Sequence, residues 1–157
     1  MSMSLESDVD VLQRIPFFQG FSGEHLKLIA FSAESRSLPD KLLLYDEGQL
    51  LHSAYVIVSG LLRGTRKARD ASGTTSREIG PGAMLGERAL VLDARADEAV
   101  RVESRARVLQ IRKVMFRRLL HEYPEIAVTL RSRLARNVLQ AAADIGAVGE
   151  RLRSLQI

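Results

Sequence analysis

Cysteine is absent from this chain of 157 residues. Its absence excludes a disulfide framework, a thiol nucleophile and a cysteine-based zinc site, and it is consistent with a reducing compartment. No apolar run approaches the roughly 20 residues that a membrane-spanning helix needs. Residues 1–10 are polar and acidic and lack the apolar core of a secretory signal. We therefore expect a cytoplasmic protein that does not associate with membranes.

A strongly basic surface is also missing. Lys and Arg number 23 against 19 Asp and Glu, which gives a formal net charge of +4. Acidic residues intervene at almost every turn, and this distribution is typical of solvated faces and not of a patch that follows phosphates. Binding of nucleic acid by this chain alone is not expected.

Catalytic motifs are lacking as well. Neither a His-Glu-x-x-His arrangement nor a Gly-x-Ser-x-Gly elbow occurs. The histidines lie far apart, in two helical segments and a loop: His25, His52 and His121. The sequence therefore predicts that the chain is not an enzyme and has no catalytic residues, no metal site and no cofactor.

The spacing of apolar residues divides the chain into three stretches, which we interpret as one domain over residues 1–157. Residues 8–32 are expected to form N-terminal helices, interrupted at Pro16 and resumed after Ser22 as N-cap. Residues 33–111 are short apolar segments separated by turn residues, which favours an antiparallel barrel or sandwich. Residues 112–157 are expected to be helical.

One segment within the β region has a different character. Residues 86–92 (GERALVL) have a helix-favouring composition, so they are predicted to form a short helix embedded in the strands. The predicted fold class is therefore α+β. It comprises an antiparallel, jelly-roll-like β-roll of about eight strands, with N-terminal helices and a long C-terminal helix.

The C-terminal stretch is predicted to contain a hinge helix over Arg112–His121, with Val114 among its packing residues, and a terminal helix from Pro124. Apolar residues of the terminal helix alternate spacings of four and three, as in a knobs-into-holes stripe. They are Leu134, Val138, Ala141, Ile145, Val148, Leu152 and Leu155. This stripe predicts a homodimer seam, and the alternative is that it packs on the roll. Gly146 and Gly149 each disfavour the helix by about 1 kcal/mol.

Three segments occur in the order and at the spacing of a known family. They are Ile15-Pro16-Phe17-Phe18-Gln19-Gly20, Tyr55-Val56-Ile57-Val58-Ser59-Gly60 and the run GPGAMLGERAL at 80–90. Together with the order of helices and strands, they resemble the cyclic-nucleotide-binding domain. This is the sensor fold of catabolite activator proteins, protein kinase A regulatory subunits and gated channels. The likeness covers roughly residues 8–140.

The resemblance implies a phosphate-binding cassette that begins at Gly86. Gly86 and Glu87 would then meet a ribose 2′-hydroxyl, and Leu85 would lie beneath the sugar. Taken without the resemblance, Glu87 could equally be a partner of the helix dipole and contact no ligand.

The arginine that would clamp the cyclic phosphate in this family departs from the pattern. Its position, nine residues beyond Glu87, holds Ala96, and Arg95 stands one residue early. Two interpretations remain: Arg95-Ala96 is a displaced clamp, or the clamp is lost. The next two positions hold Asp97 and Glu98. Other members of the family usually have small, neutral residues at these positions. Strand alternation allows only one of them to face the pocket.

The function implied by the resemblance is that of a regulatory module. It would sense a small anionic ligand, with cAMP and cGMP as candidates, through an altered cassette and signal through its C-terminal helices. Two alternatives remain: the sensor half of a catabolite activator-like transcription regulator without its DNA-binding domain, or a repurposed partner-binding domain without nucleotide. The expected binding residues are Leu85, Gly86, Glu87, Arg95 and Ala96.

Overall fold

The computed structural model of the chain describes residues 2–68 and 73–133. They fall into two compact units, with the boundary between Leu119 and Leu120. The predicted dimer seam, from Leu134 to Leu155, lies outside the described residues. None of the helices that are described is both long enough and apolar enough to cross a bilayer.

The N-terminal part is helical, as predicted, but its first helix begins earlier than expected. Helix α1 covers Ser2–Gln13 and does not begin near residue 8. No proline or glycine precedes Pro16 to stop a helix. A 3₁₀ turn at Pro16–Phe18 leads to helix α2 over Gly23–Ser32. Ser22 caps α2, as predicted, because its side chain accepts a hydrogen bond from the His25 amide at 3.1 Å.

Among the described residues, eight antiparallel strands form the roll. They are β1 (Glu34–Leu38), β2 (Leu43–Tyr45), β3 (Leu50–Leu51), β4 (Ser53–Lys67), β5 (Thr74–Ile79), β6 (Met84–Leu85), β7 (Ala94–Arg95) and β8 (Ala99–Arg112). The main sheet has the order β1-β8-β4-β5, with β2 paired to β8 and β6 to β4, while β3 and β7 pair separately. The predicted fold class is confirmed.

The two long strands β4 and β8 bend where their register shifts, around Ser59 and Leu61. Gly60, at φ 90°, makes this bend sterically feasible. A Cβ atom on Gly60 would collide with the Arg105 carbonyl oxygen. The curvature turns inner-face side chains such as Leu62 and Val102 into a shared core.

Helix α3 follows β8 and covers Lys113–Glu122, one residue later than predicted, because Arg112 still pairs with Ser53 in the sheet. Its packing differs from the prediction: Val114 is 72% exposed, whereas Phe116 is fully buried. The Phe116 ring lies 6.2 Å from that of Phe17. In the second unit, residues 124–133 are helical.

Candidate ligand-binding site

The predicted embedded helix is a 3₁₀ turn over Glu87–Leu90, shorter than the expected 86–92. Gly86 is its N-cap, and its φ of 71° is a conformation that favours glycine. A Cβ atom at Gly86 would lie 3.0 Å from the Ser53 carbonyl oxygen and 3.3 Å from Leu51. Both the backbone conformation and the limited space therefore favour glycine at this position.

The other predicted binding residues are Arg95, which ends strand β7, and Ala96, which follows it. Leu50 and Leu51 of β3 pair with Arg95 and Ala94 of β7. Ala96 continues the pairing, because its amide donates to the Gln49 carbonyl at 2.8 Å. The Arg95 side chain folds back over this ribbon, and its Nη1 donates to the Gly48 carbonyl at 3.0 Å.

A cleft with an empty volume of about 550 Å³, part of it open to solvent, joins these elements. The space inside it that can hold water-sized spheres is about 150 Å³, which is below the roughly 300–1,000 Å³ typical of small-molecule sites. The structure brings together the five predicted residues in its wall: Leu85, Gly86, Glu87, Arg95 and Ala96. The remaining lining residues are Tyr45, Leu51, Arg77, Met84, Arg88, Ala94, Asp97 and Glu98.

The lining residues of β7 and the segment after it alternate between buried and exposed. Ala94, Ala96 and Glu98 are buried, whereas Arg95 and Asp97 are exposed. The expectation that one of the two acidic side chains faces inward is thus met by Glu98, which is 7% exposed. The Asp97 carboxylate points outward and lies 2.9 Å from Arg66 Nη2.

Glu98 forms an ion pair with Arg77 of β5. The Arg77 Nε donates to both carboxylate oxygens at 3.0 Å, and its Nη2 donates to Oε1 at 2.6 Å. This hydrogen bonding, opposed by partial burial, raises the pKa of Arg77. The cleft therefore contains a carboxylate that is already neutralised by the protein.

Tyr45 packs at the same end of the cleft, and its ring lies 6.2 Å from that of Tyr55. Burial raises the pKa of the Tyr45 hydroxyl well above its ordinary value, and the negative charges of Glu98 and Asp97 add to the effect. The hydroxyl is thus a neutral donor and acceptor under ordinary conditions.

The short turn is also linked to helix α3. Lys113, the first residue of α3, is 8% exposed, and its ammonium lies 2.5 Å from Oδ1 of Asp93. Its amide donates to the His52 carbonyl at 2.9 Å. The hydrogen bond from Lys113, with its positive charge, lowers the pKa of Asp93. The segment behind the turn is thus tied to the beginning of the predicted hinge helix.

A family model described as the cyclic nucleotide-binding domain matches residues 35–123, which is more than half of the chain. The chain belongs to the cyclic nucleotide-binding domain family. The resemblance seen in the sequence is therefore confirmed.

Three similar proteins illustrate the range of the family. The cyclic AMP receptor protein of Thermus thermophilus is 27% identical over 131 residues, which are 83% of this chain and 60% of that protein. This chain therefore spans about 60% of the length of that relative. A cyclic nucleotide-binding-like protein from Brucella abortus has 33% identity and a TM-score of 0.65, covering 73% of this chain and 97% of that one.

The third is the N-terminal domain of a transcriptional regulator from Streptomyces coelicolor. It has 22% identity and a TM-score of 0.79, covering 87% of this chain and 95% of that one. At this identity the likeness shows the fold alone. Membership of the cyclic nucleotide-binding domain family thus accounts for the roll.

Several lining residues of the cleft were not predicted from the sequence, among them Arg77 and Tyr45. The close approach of Glu98 to Gly64 was not predicted either. The sequence does indicate that Glu98 faces inward. It lies two residues from Ala96 and from Val100, and every second residue of a strand points to the same face of the sheet. No local sequence pattern predicts that Arg77, some twenty residues earlier in the chain, forms an ion pair with Glu98.

Proposed function

We propose that the chain is a regulatory, non-enzymatic ligand sensor whose cleft binds a small anion of the cyclic nucleotide type. The observation that carries this proposal is that Arg95 lines the same cleft as Gly86 and Glu87. The proposal favours Arg95-Ala96 as a displaced clamp over loss of the clamp.

The chemistry of the turn supports an anion at this end of the cleft. Amides at the start of a helical turn point outward without intrahelical partners, and their dipoles favour negative charge. The Arg95 guanidinium uses one N–H on the Gly48 carbonyl and retains four for two phosphate oxygens. Glu87, which is partly buried, would accept a hydrogen bond from the ribose 2′-hydroxyl.

The clamp is tested by isothermal titration of the full chain with cAMP and with cGMP. Removing one charge-assisted contact costs about 1.5–3 kcal/mol, so Arg95→Ala should weaken binding by about 10- to 150-fold. The control is Arg14→Ala, which removes an equal charge from an exposed position outside the cleft. Equal affinities of Arg95→Ala and the control would contradict the displaced clamp, and absence of binding to the unmodified chain would contradict the proposed function.

Signalling in this proposal runs through the C-terminal helices. A ligand changes a conformation only through different affinities for two arrangements. Asp93 follows the short turn and holds Lys113, so a movement of the turn would be transmitted to the first residue of α3. Hydrogen exchange of residues 113–133 should change on adding saturating cAMP, and an unchanged pattern would remove this part of the proposal.

The homodimer through the predicted seam belongs to the same proposal. A charge in a knobs-into-holes stripe is strongly unfavourable. In sedimentation experiments we therefore expect the full chain to be dimeric and the double variant Val138→Glu, Ile145→Glu to be monomeric. The control Gln140→Glu places the charge off the seam and should stay dimeric. A monomeric unmodified chain would contradict the seam.

A further inference from the structure

A buried carboxylate at one end of the cleft has no role in the proposed anion binding. Glu98 is 7% exposed, lines the cleft, and is held by Arg77, whose side chain remains 59% exposed. A carboxylate has about four accepting directions, and Arg77 occupies three of them, two on Oε1 and one on Oε2. Oε2 therefore retains the capacity to accept a further hydrogen bond.

The fold makes room for this carboxylate by means of a glycine. Gly64 of β4 lies directly opposite Arg77 on β5 and Val100 on β8. A Cβ atom at Gly64 would lie 2.6 Å from Cδ and from Oε1 of Glu98. The Glu98 carboxylate thus occupies the volume that a side chain at Gly64 would fill.

The carboxylate and the anion-binding turn lie toward opposite ends of β4. Gly86 approaches Ser53 and Ala54 at the start of the strand, whereas Glu98 covers Gly64 near its end. Arg95 and Glu98 are three residues apart, which places them at most about 10 Å apart along the chain. The cleft therefore has hydrogen-bond donors at one end, on the turn and Arg95, and a hydrogen-bond acceptor, Glu98, at the other.

We infer that Glu98 is a specificity-determining residue that accepts an N–H group from the end of the ligand remote from its anionic group. The ligand class is a molecule with an anionic group at one end and an amino-type donor at the other, such as a purine nucleotide whose base carries an amine. Arg77 is the positioning residue, because it fixes the carboxylate. The inference rests on the proposed function.

A ligand without the donor is rejected for a physical reason. When it fills the Glu98 end of the cleft, Oε2 loses its access to water and gains no hydrogen bond in return. A charged group that loses a hydrogen bond in this way lowers affinity more than a neutral group does, even though Arg77 still holds the carboxylate. Two pairs of nucleotides isolate this effect, because each pair differs in one amino group: cAMP with purine riboside 3′,5′-cyclic phosphate, and cGMP with cIMP.

The test measures dissociation constants of both pairs by isothermal titration for the unmodified chain, Glu98→Ala and Gly64→Ala. The amine-bearing member of at least one pair should bind the unmodified chain about tenfold or more tightly than its partner. Both variants should abolish this difference. Gly64→Ala keeps the carboxylate but displaces it, and this is sterically cheap because only the end of a flexible side chain must move.

The outcomes separate the two proposals. If the nucleotides bind but no pair is discriminated, or if the discrimination survives in Glu98→Ala, the inference is wrong and the proposed function stands. If none of the four nucleotides binds the unmodified chain, both are wrong. If Glu98→Ala does not fold, the test depends on Gly64→Ala alone. The inference is then wrong if Gly64→Ala still binds the amine-bearing nucleotide more tightly than its partner.

Discussion

The ammonium of Lys113 lies 2.5 Å from the carboxylate of Asp93, and this ion pair joins helix α3 to the segment behind the Glu87–Leu90 turn. The Lys113 side chain is 11% exposed, whereas that of Asp93 is 85% exposed. Asp93 does not line the cleft. The pair can therefore be removed without touching the proposed binding residues.

Removal of this pair should uncouple α3 from the ligand. With Asp93→Asn we expect cAMP affinity within a factor of about three of that of the unmodified chain, since Asp93 is exposed and does not line the cleft. The ligand-dependent change in hydrogen exchange of α3 should become smaller. Asp10→Asn, an exposed site on α1, is the control. An unchanged exchange response in Asp93→Asn would show that the pair does not transmit the signal.

The shape of the turn predicts a stability difference between two glycines. Gly86→Ala forces a left-handed backbone, and its Cβ approaches the Ser53 carbonyl at 3.0 Å, so the free energy of unfolding should fall by about 1–2 kcal/mol or more. Gly80→Ala meets nothing within 4 Å and should change it by less than about 0.5 kcal/mol. Urea unfolding measures both. Equal stabilities of the two variants would mean that the turn does not have the described conformation.

The burial of Glu98 beside the exposed Arg77 predicts that the two alanine variants of this pair differ in stability. Arg77→Ala leaves the buried Glu98 carboxylate without its partner, which should lower the free energy of unfolding by about 1–3 kcal/mol. Glu98→Ala should be less costly, because Arg77 can turn to water. The double variant should resemble Glu98→Ala. If Arg77→Ala proved the milder single change, the burial assigned to Glu98 would be wrong.

Tyr45 predicts a loss of stability at high pH. Tyrosine in the unfolded chain ionises near pH 10, whereas burial raises the pKa of folded Tyr45. Above pH 10 the folded state binds more protons than the unfolded state, so stability falls with rising pH by up to about 1.4 kcal/mol per unit until the folded pKa is reached.

The check is urea unfolding between about pH 8 and about pH 11. Tyr45→Phe should lose less stability over this interval than the unmodified chain does. Tyr123→Phe, outside the cleft, is the matched control. Equal losses in Tyr45→Phe and the unmodified chain would contradict the buried, protonated hydroxyl.

The order of the elements could be predicted from sequence because it depends on local signals. Turn residues separate short strands, Ser22 caps α2, and Gly86 opens a short turn. The limits of that turn were less predictable, since residues 91 and 92 have the same helix-favouring composition as 87–90 although the 3₁₀ helix ends before them. Val114 illustrates a second limit: apolar character does not reveal that Phe116 takes the buried side of α3.

The charge arrangement of the cleft was not predictable in the same way. The alternation of side chains along a strand predicts that one of Asp97 and Glu98 faces inward. Which of the two does so depends on neighbours that are distant in sequence. Gly64 supplies the space and Arg77 the counter-charge, and both reach Glu98 through strand pairing. Contacts between residues so far apart in sequence form only when the strands pair in the folded sheet.

The central claim is that a cyclic nucleotide binds between the Glu87–Leu90 turn and strand β7. The most direct test is amide NMR of the full chain titrated with cAMP and cGMP. The account predicts that the largest shifts occur at residues 85–89 and 94–98, with little change on the outer face of the sheet at Leu43 and Arg101. No shifts at saturating nucleotide, or shifts confined to that outer face, would contradict it.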